Sequence, residues 1–94
     1  MSYSSRINEK LEQTFAPCEI KLVDESHKHQ GHAGAHPEGE THFSLTLISD
    51  QFEGMSRIER HQRIYALLDL ELKEHVHALR IKTLTFAEKS NLGR

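Results

Sequence analysis

Between two runs of alternating apolar residues the chain carries His27, His29, Gly31, His32, Gly34 and His36, followed by Pro37 and Gly39. Breakers at this spacing stop both a helix and a strand. The segment is therefore a loop, and the flanking runs become two consecutive strands. Four of the eight histidines fall within the ten residues 27–36. Imidazole is the commonest side-chain ligand for transition metals and also titrates near neutrality. The loop is a candidate metal-binding arm.

The rest of the chain limits what such an arm can do. Ninety-four residues make one small domain, residues 1–94, with a modest core. The net charge of −2 demands neither a nucleic-acid partner nor an anionic membrane. A single cysteine, Cys18, excludes an internal disulfide and a four-cysteine metal site. Its position after Pro17 reads as that of a small apolar residue rather than a redox centre. No apolar run is long enough for a membrane span, and the first ten residues lack an apolar signal core. A cytoplasmic protein is expected, or a mitochondrial-matrix one in a eukaryote.

Periodicity sets out the elements. Ile7, Leu11 and Phe15 form a helical stripe that Pro17 ends. Ile20 and Leu22 alternate with Lys21 and Val23, and Phe43, Leu45 and Leu47 alternate with His42, Ser44 and Thr46. Ser56 and Glu59 make a capping box. The helix they open carries Ile64, Leu67, Leu68 and Leu72, and the pattern extends it to about Lys73. Val76–Thr83 reads as a third strand with Leu79 and Ile81 on its core face, and residues 85–90 as a short helix. The order α-β-β-α-β-α gives an α+β fold, a three-stranded sheet with helices packed on one face. The partly polar second face suits an antiparallel sheet with one wet side.

Four fragments in this order resemble the BolA family. They are Val23-Asp24-Glu25-Ser26 leading into the histidine loop, Gly39-Glu40-Thr41-His42-Phe43, Phe52-Glu53-Gly54-Met55-Ser56-Arg57-Ile58-Glu59-Arg60-His61, and Val76-His77-Ala78-Leu79 before Lys82-Thr83-Leu84-Thr85. Together they span nearly the whole chain. Phe86 stands where the family often has proline, and Gln62 where it often has arginine. The loop resembles that of the histidine-loop members. The resemblance implies a class II KH-like fold and a non-enzymatic role as the partner of a monothiol glutaredoxin. In such a pair a [2Fe-2S] cluster is shared. The glutaredoxin supplies a cysteine and a glutathione thiol, and the BolA protein holds no cluster tightly alone. The resemblance places one ligand at His77 and a second in the loop.

The chemistry agrees in part. Two histidines replace two thiolates on one iron in Rieske centres. A chain with one cysteine and many histidines supplies such a half-site but needs a partner's thiols. Strand parity puts His77 on the side of Leu79 and Ile81, at the rim of the core. Counting from the two ends of the loop favours His29 or His32 as the second ligand, with His36 third and His27 fourth. Interchangeable loop histidines would also take up zinc, copper or nickel. His42 falls on the non-core face of its strand, where a surface role is expected. Alone, the chain is expected to be a monomer or weak homodimer.

Two other functions compete. Arg57, Arg60 and Arg63 recur on successive helical turns and would meet phosphates, which suits a DNA-binding transcriptional regulator. The net charge opposes this, and no KH-type Gly-x-x-Gly clamp lies between helices. Histidine beside Asp24, Glu25 or Glu40 would make an acid–base pair. No nucleophile elbow or complete metalloenzyme motif accompanies it, so an enzyme is disfavoured.

Overall fold

Ser2 opens the first helix, its Oγ accepting the backbone N–H of Ser5 at 3.0 Å. The computed structural model describes residues 2–26 and 39–92. His27, His29, His32 and His36 lie outside the described residues. Helix α1 (Tyr3–Phe15) buries Ile7, Leu11 and Phe15, the stripe expected from the sequence. Strand β1 (Cys18–Asp24) half-buries Ile20 and Leu22 and exposes Lys21 and Val23. Strand β2 (His42–Ser49) buries Phe43, Leu45 and Leu47. The two pair antiparallel, with Ile20 opposite Leu47 and Leu22 opposite Leu45.

A 3-10 turn, Asp50–Phe52, places Phe52 in the core, its ring 5.1 Å from that of Phe15. The capping box then opens α2 (Arg57–Leu67). Ser56 N donates to Glu59 Oε1 at 2.8 Å, and Glu59 N donates to Ser56 Oγ at 3.2 Å. The helix does not continue to Lys73. It stops at Leu68, and a separate helix, α3 (Asp69–Glu74), follows. The break lets Leu68 stay buried while α3 lays Glu71 against α1.

Strand β3 (Ala78–Leu84) pairs with β2 in parallel, Phe43 opposite Leu79 and Leu45 opposite Ile81. The sheet is mixed, in order β1-β2-β3, rather than antiparallel throughout. A parallel pair needs a crossover of a dozen or more residues, and α2 with α3 supplies it. The parallel register brings the starts of β2 and β3 side by side. Helix α4 (Phe86–Leu92) begins with a reciprocal cap between Thr85 and Glu88. Its Phe86 N–H donates to Asp50 Oδ1 at 3.0 Å. The core joins α1, β2, Phe52, Ile64, Leu68, Val76 and Leu79. Among the described residues no helix is long and apolar enough to cross a membrane.

Candidate functional site

The loop's two ends are held together at one corner of the sheet. Asp24 is the organiser: Oδ1 accepts from Ser26 N at 2.9 Å and Ser26 Oγ at 2.6 Å, and Oδ2 accepts from Glu40 N at 3.1 Å. Glu40 turns its carboxylate to the start of α1, where Oε1 accepts from Tyr3 N and Oε2 from Ser4 N. A carboxylate at a helix N-terminus satisfies otherwise unpaired N–H groups. Gly39 and Glu40 both have positive φ, 75° and 62°. A Cβ on Gly39 would stand 2.9 Å from Ser26 Oγ, so glycine is required by space as well as by backbone conformation.

Beside this stem lie His42 and His77. Their ring centroids are 6.1 Å apart at an interplanar angle of 71°. Thr41, itself buried, ties both: its Oγ1 is 2.9 Å from His42 Nδ1, and its carbonyl accepts the backbone N–H groups of His77 and Ala78 at 2.8 and 3.1 Å. That shared carbonyl is why strand parity does not reach His77. Regular pairing begins one residue later, at Ala78, so His77 does not follow Leu79 into the core. It is exposed, and its ring meets the ring of His42 at the non-core side. Across the sheet Glu25 N donates to the His42 carbonyl at 2.7 Å, so the end of β1 joins the same corner.

The remaining candidates go elsewhere. His75 stacks on Tyr3 and holds the loop stem. Cys18 lies at the opposite end of β1 from Asp24, and burial, with the charge of Glu12, pushes its thiol pKa up. A thiol shifted that way is a poor nucleophile at neutral pH. Arg60 is buried: its guanidinium bonds Glu88 at 2.8 Å and the Met55 carbonyl at 3.1 Å. Arg63 turns away to Gln51, with its guanidinium 4.7 Å above the Phe15 ring. Arg57 lines an open cleft of about 800 Å³ with Arg60, His61 and Lys82. The three arginines do not present one phosphate-binding face.

Among the described residues no group of three or more His, Cys, Asp or Glu is placed to enclose a metal ion. Two imidazoles without an accompanying thiolate fit one half of a mixed nitrogen–sulfur iron site and cannot complete it.

A family model described as "BolA-like protein" matches residues 11–88. The chain belongs to the BolA family. It is 41% identical over 92 residues to the "DNA-binding transcriptional regulator BolA" of Escherichia coli, covering 98% of this chain and 84% of that one. It is 47% identical over 91 residues to "SufE-like protein 1, chloroplastic/mitochondrial" of Arabidopsis thaliana, covering 93% of this chain and 24% of the relative. The BolA-like chain thus spans about a quarter of that protein, and 54% of "Protein BOLA1, chloroplastic" from the same plant. The solved BolA domain of Arabidopsis SufE1 superposes with a TM-score of 0.82 at 46% identity, over 94% of this chain and 96% of that one.

The pairing of His42 with His77 was missed from sequence. The available signal was the crossover: a parallel β3 beside β2 starts at the same end of the sheet as β2.

Proposed function

We propose that this BolA-like chain is a non-enzymatic partner of a monothiol glutaredoxin and shares a [2Fe-2S] cluster with it in iron–sulfur assembly, trafficking or regulation. His77 supplies one nitrogen, and the resemblance assigns a second to the histidine loop, at His29, His32 or His36. Cysteine and glutathione thiols come from the partner. The observation that supports this reading is the exposure of His77 at the sheet corner, next to the closed stem of the histidine loop and facing a second imidazole. Such a cluster at an interface is held by nitrogen on one iron and sulfur on the other, which raises its potential relative to an all-thiolate site.

The test mixes the chain with a monothiol glutaredoxin, glutathione and reconstituted cluster and records visible circular dichroism. A spectrum distinct from that of the glutaredoxin alone is expected, and His77→Ala is expected to abolish the difference. An unchanged spectrum with His77→Ala removes this residue from the ligand set.

A second reading, nucleic-acid binding, is favoured by the likeness to the Escherichia coli DNA-binding transcriptional regulator BolA and by Arg57, His61 and Lys82 lining the cleft. Its test is a mobility shift on promoter DNA across a salt series, with a steep loss of affinity expected as salt rises. No shift at low salt rejects it.

A further inference from the structure

We propose that the outer edge of β3, together with the cleft beside it, takes up an extended acidic peptide segment of another protein as an added strand. The proposal is independent of the cluster reading.

The backbone carries it first. β3 lies at the edge of the sheet, whose order is β1-β2-β3. In a strand paired on one side, alternate residues turn their N–H and C=O groups to the neighbour and the others turn them away. Two bonds fix which are which. Ala78 N donates to the Thr41 carbonyl at 3.1 Å, on the β2 side. The Leu79 carbonyl instead accepts from Tyr65 Oη of α2 at 3.2 Å. Arg80, Lys82 and Leu84 therefore continue the ladder to β2, and Ile81 and Thr83 direct their backbone groups outward. Among the described residues no hydrogen bond from outside the sheet reaches the N–H or carbonyl of Ile81 or Thr83.

The cleft decides the chemistry of the occupant. Ile81 and Thr83 line it, and Met55, Leu84 and Leu92 give it apolar surface. Of its charged residues, Arg60 and Glu88 satisfy each other at 2.8 Å. Arg57 and Lys82 are exposed, and among the described residues neither has an acidic side chain within ion-pair distance. Open backbone donors and acceptors thus stand beside two cations that no carboxylate neutralises. An extended chain that alternates acidic and apolar residues answers both, with its backbone on the edge and its carboxylates at Arg57 and Lys82. A phosphate backbone offers acceptors only and leaves the outward carbonyls of Ile81 and Thr83 unmatched.

A second copy of this chain fits less well. Pairing two β3 edges antiparallel about Ile81 sets Arg80 opposite Lys82 of the other copy, and like charges directly opposite are destabilising. Arg80 has a distant carboxylate to offset this, Glu25 Oε1 at 3.8 Å. Basic residues along an edge strand oppose self-pairing, and the same charges admit an acidic strand.

The experiment uses the full chain labelled with ¹⁵N and a blocked heptapeptide of alternating glutamate and valine. In the chain alone the amides of Ile81 and Thr83 are expected to exchange with solvent faster than those of Arg80 and Lys82. Slow exchange at Ile81 and Thr83 in the dilute chain means that the edge is already covered and overturns the proposal. With peptide at about ten times its Kd, both signals are expected to shift and their exchange to slow about 10-fold. Absence of any effect at these two amides overturns the proposal. The same peptide N-methylated at alternate residues keeps its charge and loses the strand-forming amides. It is expected not to bind, and equal binding of the two peptides overturns strand addition.

Thr83→Pro removes an outward N–H while sparing the ladder to β2, and is expected to weaken peptide binding about 10-fold. Should that variant fail to fold, the surface pair Arg57→Glu, Lys82→Glu gives a second measurement. Binding about 10-fold weaker is expected, with recovery for a peptide that carries lysine in place of glutamate. Unchanged binding in the charge-reversed chain overturns the proposal. A single-stranded DNA oligomer that protects the same two amides at lower concentration than the peptide reassigns the cleft to nucleic acid and overturns it as well.

Discussion

His75 donates its Nε2 proton to the carbonyl oxygen of Gly39, 3.0 Å away, while its ring lies nearly parallel on Tyr3 with centroids 4.8 Å apart. The residue that ends α3 thus closes the end of the histidine loop, and the first residue of α1 closes over it.

This closure makes Gly39 intolerant of a side chain. Gly39→Ala forces an L-residue to a φ of 75° and brings a Cβ within 2.9 Å of Ser26 Oγ. The backbone alone costs about 1–2 kcal/mol, and displacement of Ser26 adds to it. Urea denaturation is expected to show a loss above that range's lower end. A neutral result would mean that the stem relaxes freely.

Glu71 is fully buried and carries two cations. Arg6 Nη2 lies 2.8 Å from Oε2, and Lys10 Nζ lies 2.9 Å from Oε1. Burial pushes its carboxyl pKa up, but the hydrogen bond and charge of Lys10, with the charge of Arg6, outweigh that and hold it below the usual value. Removing both cations strands a buried charge, which costs about 3–5 kcal/mol. The Arg6→Ala, Lys10→Ala double variant is therefore expected to lose more stability than Glu71→Leu, since the cations left by Glu71→Leu reach solvent. Equal losses in thermal unfolding would contradict this.

The pH dependence follows from Glu88. Its hydrogen bond from Arg60, with backbone and hydroxyl contacts at Thr85 and the Arg60 charge, pulls its pKa down to about 2. A carboxyl depressed on folding stabilises the native state above its unfolded value of about 4.3. That contribution disappears as pH falls from there through about 2. Glu71 acts with the same sign. Carbon-detected titration of the Glu88 carboxyl should give a midpoint near 2, and Arg60→Gln should return it toward the ordinary range. An ordinary midpoint in the unsubstituted chain would show that the pair is not formed in solution.

At the start of α2 the reciprocal bonds between Ser56 and Glu59 satisfy two amides. Ser56→Ala is expected to cost about 1 kcal/mol. The loss should appear as faster hydrogen exchange in the first turn of α2, with the exchange of β2 unchanged.

The sequence was most legible where a pattern is local. The Ile7, Leu11 and Phe15 stripe, the alternation of β1 and β2, and the Ser56–Glu59 cap are each written within a few residues, and each has its expected place. The break at Leu68 was not legible, because apolar periodicity runs through it from Ile64 to Leu72. Nor was the burial of Glu71, whose partners Arg6 and Lys10 are more than sixty positions away. His77 illustrates the same limit at the candidate site. Its alternation with Leu79 is readable, but the Thr41 carbonyl that ends the strand pairing lies just before β2, 36 positions back. The resemblance to the BolA family rests on four ordered fragments, since no single motif is specific enough, and the family model over residues 11–88 bears it out.

Asp24 grips the chain on both sides of the histidine segment, at Ser26 and at Glu40. The corner behaves as a clamp: one carboxylate sets both where the chain leaves the sheet and where it returns to it.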